Sequence, residues 1–234
     1  MELQDAPVAY FFKLGSWYEA NKIRVAWGGG IILVAAGLIS FYSWERDQNE
    51  MAAGRALTQL MLNTAALHNT PISQQADQYL KIAADYHSTA AGQRALLQGA
   101  GTLFTAGRYA DAQAQFQKFL DAYPGSPLGA QADLGLATSL DAQGKTDLAV
   151  GVYQRIIRTY SDAMVANSAR YSLAQIDERQ GKLTEATGLY DDISRAVPGS
   201  LLASEAGLHS MELKLKLPAV SPATPPSPSF NLTH

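Results

Sequence analysis

Four histidines, His68, His87, His209 and His234, are the first candidates for acid–base or metal chemistry in this chain. They lie far apart and lack the i, i+4 spacing that would place two imidazoles on one helix face to grip an ion. The acidic pairs Asp177-Glu178 and Asp191-Asp192 come next. A general acid and its base must converge on one substrate atom, whereas adjacent residues of a helix point to different sides. No G-x-S-x-G elbow presents a serine nucleophile. The chain has no cysteine, which removes thiolate catalysis, disulfides and Cys-based metal sites. Gly28, Gly29 and Gly30 lack the Lys-Ser/Thr with which a glycine loop holds phosphate, and they lie inside an apolar run. Asn231-Leu232-Thr233 is a glycosylation acceptor by pattern alone. His68 and His87 read as capping or solvent-facing groups near helix ends. The expectation is a chain that is not an enzyme, with no catalytic residue, no cofactor and no metal.

What remains is the scaffold. Of the 234 residues 47% are apolar and the formal net charge is −3, so the basic surface that displaces counterions from nucleic acid is missing. Ala, Leu and Gln are abundant, and these residues lose little rotamer freedom in a helix. The segments GRYADA at Gly107, GKTDLA at Gly144 and GKLTEA at Gly181 recur every 37 residues. The same interval joins Ala112, Ala149 and Ala186; Phe116, Tyr153 and Tyr190; and Phe119, Ile156 and Ile193. It also joins Ala95, Ala132, Ala169 and Ala206; Ala100, Ala137 and Ala174; and Tyr86, Tyr123 and Tyr160.

Each position has a mechanical reading. The glycine ends the first helix of a hairpin in a left-handed conformation. The alanines let two helices approach, and the aromatic residue one turn beyond fills the space between them. Pro124 and Pro198 stop the second helix, and the Gly-Ser after each opens the next unit. A single hairpin cannot bury its apolar face, but a stack of them makes one continuous core. Helices are predicted over 47–68 and 72–86 as a degenerate first hairpin. Three more hairpins follow, 90–106 with 109–122, 127–143 with 146–159, and 164–180 with 183–196. A terminal capping helix spans 200–216.

Between Arg24 and Glu45, residues Val25–Trp44 carry no charge. At about 1.5 Å of rise per residue, roughly 20 residues cross a hydrocarbon core of ~30 Å. Trp27 near one end and Phe41, Tyr42 and Trp44 at the other suit the two interfaces. The run is too long, and starts too late, for a cleaved signal peptide, so the reading is an uncleaved anchor. Lys13, Lys22 and Arg24 precede it against Arg46 and Arg55 after it, which puts the amino terminus in the cytoplasm. The chain is divided into a short cytoplasmic segment 1–24, a transmembrane helix 25–44, a repeat domain 47–216 with its cap, and a tail 217–234. Five prolines follow one another closely in that tail, which is expected to be disordered. Its PATP and PPSP strings match the P-x-x-P pattern of ligands for aromatic grooves.

Small residue, Gly, aromatic, Ala, second aromatic and Pro, in this order, resemble the tetratricopeptide repeat, whose usual length is about 34 residues. The implied fold is all-α: an N-terminal transmembrane helix followed by a tetratricopeptide-type α-solenoid of stacked helical hairpins. The longer period and the YPGSP junction at Tyr123 are similar to the periplasmic branch of this family, which includes the TolA-binding protein and the lipoprotein of the outer-membrane assembly machine. The layout of Phe11-Phe12, one span and then repeats most resembles the ancillary subunit family of the Sec translocon.

That resemblance implies a single-pass protein of the bacterial inner membrane with periplasmic repeats. It would bind other envelope proteins, with the Sec translocon or periplasmic chaperones as partners. In the family the first helix of each hairpin lines a concave groove. By register from Ala100, Ala137 and Ala174, the groove positions are Arg94, Leu97 and Phe104; Gln131, Leu134, Thr138 and Asp141; and Tyr171, Gln175, Glu178 and Arg179. They mix apolar and polar groups, as a peptide groove does. The Lys/Asn pattern with which some relatives clamp a terminal carboxylate is missing. Two alternatives stand beside this reading. One is a structural, self-associating protein using the glycine-rich span or the terminal helices, and the other is an adaptor of the outer-membrane-assembly or TolA-binding type.

Overall fold

The computed structural model describes residues 6–66, 71–160 and 163–217. His68, Asn231, His234 and the tail from Pro218 lie outside the described residues. The elements are α1 (Ala6–Ala66), α2 (Ile72–Asp85), α3 (Ala90–Thr105), α4 (Tyr109–Ala122), α5 (Gly129–Ala142), α6 (Thr146–Thr159), α7 (Ala163–Arg179), α8 (Leu183–Ala196) and α9 (Leu201–Lys216). No strand occurs among the described residues. The architecture is all-α.

Three hairpins, α3–α4, α5–α6 and α7–α8, turn in the same way. Gly107, Gly144 and Gly181 adopt φ of 75°, 74° and 77°. At each, the glycine N–H and the next N–H reach back to carbonyls of the helix just ended. Gly107 donates to Phe104 and Arg108 donates to Leu103, both at 2.9 Å, and the other two turns repeat the pattern. The last carbonyls of the helix, which have no partner within it, are satisfied in this way. A side chain on these residues would pay for the left-handed backbone, so glycine is required by conformation.

The 37-residue rows become layers of the core. Ala95, Ala132, Ala169 and Ala206 are all buried, as are Ala112, Ala149 and Ala186. Phe116, Tyr153 and Tyr190 fill the space these methyl groups leave, with Phe119, Ile156 and Ile193 beside them. Burying such large side chains stabilises by about 1.5–3 kcal/mol each. The odd-numbered helices form one wall: α5 touches α3 and α7 as well as its hairpin partner α6 and the preceding α4.

Two elements differ from the sequence expectation. The helix predicted over 47–68 is not separate; it is the last part of α1, which runs unbroken from Ala6. Glu45-Arg46-Asp47-Gln48-Asn49 contains neither Pro nor Gly, so nothing interrupts the backbone hydrogen-bond ladder. The third hairpin starts at Gly129 rather than 127. Ser126 holds a turn there, its carbonyl accepting from Gly129 N–H at 2.9 Å and its hydroxyl from Leu128 N–H at 3.3 Å.

Within α1, Asn21–Asn63 is long and apolar enough to cross a membrane and reaches a mean hydropathy of 1.8. Ile31, Ile32, Leu33, Val34, Leu38 and Ile39 all stand exposed on it. Further along, Ala53, Leu57 and Leu60 turn inward and join the core, where α1 packs on α2 and α3.

Candidate protein-binding groove

The wall of odd-numbered helices carries the positions expected to bind. Arg94, Gln131, Gln175 and Arg179 are exposed on it, while Leu97, Phe104 and Leu134 are half-buried against the core. The Phe104 ring tilts against Tyr109, with centroids 5.1 Å apart. Thr138 turns its hydroxyl back to its own helix, donating to the carbonyls of Leu134 and Gly135 at 3.1 Å.

Four of these positions are tied to neighbouring helices. Arg179 Nη2 donates to both carboxylate oxygens of Asp141, at 3.0 and 3.1 Å, joining α7 to α5. Tyr171 Oη donates to Glu205 Oε1 at 2.6 Å, joining α7 to α9. Tyr190 Oη donates to Glu178 Oε2 at 3.4 Å. Burial and then the Glu205 hydrogen bond push the Tyr171 phenol up to about 12. Arg94 and Gln131 are exposed, and the side chain of Gln175 reaches the Tyr171 phenol with a hydrogen bond.

The acidic pairs separate as adjacent helical residues must. Asp177 lies 3.8 Å from Lys182 Nζ, and burial raises its carboxyl above the ordinary value despite that cation. Asp191 accepts from Ser210 Oγ at 2.5 Å and Lys214 Nζ at 2.9 Å, and the Ser210 hydrogen bond is foremost in holding its carboxyl below the usual range. Asp192 instead faces Arg195 at 2.5 Å. His87 does not cap with its ring; its carbonyl accepts the Tyr123 hydroxyl at 2.7 Å. His209 stacks on Tyr190, centroids 5.1 Å apart at 16°, and stands edge-on to Tyr171. Among the described residues no three His, Asp or Glu groups are placed to hold an ion.

Sequence reasoning ended the wall at α7, but its rows continue for one more helix. Adding the same 37-residue interval places Leu208 after Leu97, Leu134 and Tyr171, and Leu215 after Phe104, Asp141 and Glu178. Met211 falls in the row of Ala100, Ala137 and Ala174. Those alanines are 0% exposed because the second helix of each hairpin covers them, whereas Met211 is 64% exposed. With Leu201, Leu208 and Leu215 it forms an apolar stripe along the outer side of α9. A solenoid cap is expected to be polar there.

Residues 97–164 match the model of a family described as Tetratricopeptide repeat. The match runs from α3 into α7, across the α4–α5 junction and the α5–α6 hairpin. No curated protein matches the chain. Repeats of this kind generally mediate protein–protein interaction. The helical stack after α1 is therefore a tetratricopeptide-type α-solenoid.

Proposed function

We propose that this chain is a membrane-anchored scaffold that holds other envelope proteins against the wall of odd-numbered helices. The observation that carries this reading is the continuity of α1. One helix bears the exposed apolar run and then, without a break, the buried Ala53, Leu57 and Leu60 that start the repeat core. An isolated apolar surface of that length on a single helix is stable only when something apolar covers it, and a bilayer does so over the whole circumference. Arg94, Leu97, Phe104, Gln131, Leu134, Thr138, Asp141, Tyr171, Gln175, Glu178 and Arg179 are the groove residues in this reading.

The balance of cations around the span supports a cytoplasmic amino terminus and periplasmic repeats. The finer assignment, an ancillary subunit near the Sec translocon or within a chaperone network, rests on the order of Phe11-Phe12, span and repeats. Photo-crosslinkers at Phe104, Leu134 and Tyr171 in intact membranes test the groove. Specific adducts with the same protein from all three support it, and their absence sinks it. Protease added to spheroplasts tests the side: repeats cleaved only after permeabilisation reverse the orientation.

A second reading, self-association, is favoured by the stripe Leu201, Leu208, Met211 and Leu215 on α9. The mass of the particle in mild detergent, with and without residues 1–44, separates self-association through the span from self-association through α9.

A further inference from the structure

Where α1 meets the α2–α3 turn there is a cleft of ~280 Å³. Tyr42, Glu45, Arg46 and Asn49 line it from one face of α1, and Ser88 and Thr89 close it from the turn. Glu50 clamps the two parts together, accepting from Ala90 and Ala91 N–H. The first donors of α3 are thus already used, since Gly92 N–H goes to Thr89 Oγ1 at 2.9 Å. In contrast, among the described residues the side chains of Tyr42, Glu45, Arg46, Asn49 and Ser88 make no hydrogen bond or ion pair. Residues bearing a guanidinium, a carboxylate, an amide and two hydroxyls therefore line one cleft with their bonding capacity unspent.

Its depth follows from the anchor reading, on which this inference rests. The headgroup layer adds roughly 5–8 Å beyond each side of the hydrocarbon core. At about 1.5 Å per residue, that layer takes up the turn after Trp44, which is Glu45 to Asn49. We propose that this cleft seats the headgroup of a phospholipid in which a phosphodiester is joined to a primary ammonium. Arg46 holds the phosphate in a charge-assisted contact, supported by Ser88 and Asn49 as donors. Glu45 accepts from the ammonium. With one charge of each sign, the cleft matches a zwitterion. A purely anionic headgroup would meet Glu45 unfavourably, and a quaternary ammonium has no N–H to give it.

The test uses the full chain, purified in mild detergent and stripped of lipid. Phosphatidylethanolamine, phosphatidylglycerol and phosphatidylcholine with identical acyl chains are titrated in, and retained lipid is counted by native mass spectrometry. The wild type is expected to retain one phosphatidylethanolamine in preference to the other two. Arg46→Gln weakens that retention by about tenfold, the worth of one charge-assisted hydrogen bond. Glu45→Gln removes the preference over phosphatidylglycerol, and Arg55→Gln, away from the cleft, changes neither. Equal retention of all three lipids, or an unaffected Arg46→Gln, overturns the proposal. Displacement by soluble phosphoethanolamine at the lipid's own concentration also overturns it, assigning the cleft to a water-soluble phosphate ester. Alkaline extraction of membranes separates this failure from that of the anchor. Protein released to the supernatant removes the anchor and the headgroup site together; protein retained with unchanged adducts removes only the site.

Discussion

The carboxylate of Glu50 accepts the backbone N–H of Ala90 at 2.7 Å, and its second oxygen accepts that of Ala91 at 3.0 Å. Glu50 thereby caps the amino terminus of α3 from another helix, placing a negative charge where the helix dipole is positive. Glu50→Ala is expected to destabilise the chain by about 1–2 kcal/mol, and Glu50→Gln by less because its amide oxygen still accepts. Thermal unfolding followed by circular dichroism measures both. Faster hydrogen exchange at Ala90 and Ala91 in the alanine variant would locate the effect.

Two helical glycines respond in opposite directions. A Cβ on Gly92 would lie 1.9 Å from the Tyr86 carbonyl oxygen, and that oxygen is already held by Thr89 N–H at 3.0 Å and Thr89 Oγ1 at 2.8 Å. Gly92→Ala therefore moves backbone and costs about 2 kcal/mol or more. A Cβ on Gly151 in α6 meets nothing within 4 Å. Gly151→Ala should stabilise by roughly 0.5–1 kcal/mol, because alanine loses less backbone entropy in a helix. Denaturant midpoints at equal slope are the readout for the pair.

Buried phenols set the alkaline limit. Burial is the foremost cause that pushes Tyr153, Tyr160 and Tyr171 up to about 12, and it raises Tyr190 as well. For Tyr160 the hydrogen bond to Asp133 Oδ2 at 2.6 Å adds to it. The folded state holds these protons more tightly than the unfolded one. Their stabilisation is therefore complete below the ordinary value of 10.0 and is lost as pH rises from there towards about 12. Phenolate absorbance and ellipticity should change together over that window. Phenols that ionise at their ordinary value while the helices remain intact would contradict the burial.

The stripe on α9 predicts a separation of stability from assembly. Leu208→Gln with Met211→Gln alters exposed side chains only, so unfolding should move by no more than about 0.5 kcal/mol. If α9 joins two copies, the same pair of substitutions dissociates them in sedimentation equilibrium. Leu213→Ala, at 1% exposure on the opposite face, should cost about 2–5 kcal/mol and serves as the contrast.

The hairpins were legible because their packing is local and repeated. Ala112, Ala149 and Ala186 have the same spacing to Phe116, Tyr153 and Tyr190, and one helical turn brings each pair to the same face. The positive φ at Gly107, Gly144 and Gly181 could be anticipated because only glycine takes that conformation at little cost. The wall was readable in register but not in its ties. Asp141 and Arg179 both stood among the expected positions, yet their joining depends on the angle between α5 and α7. The outer face of α9 was missed although Leu208 and Leu215 continue the rows, because its apolar spacing reads equally well as buried or bare.

By itself the sequence determined the all-α class, the 37-residue unit, the turn glycines and the rows that become core, since all of these follow from periodicity within one hairpin and its copy. Only the tertiary structure decided that α1 is one helix from Ala6 to Ala66, that Glu50 reaches α3, that Gly92 is walled by Tyr86, and that Met211 lacks the cover its row has elsewhere. The reason is physical. A side chain's spacing sets which face of its own helix it occupies, while what that face meets is set by helix crossings summed over many residues.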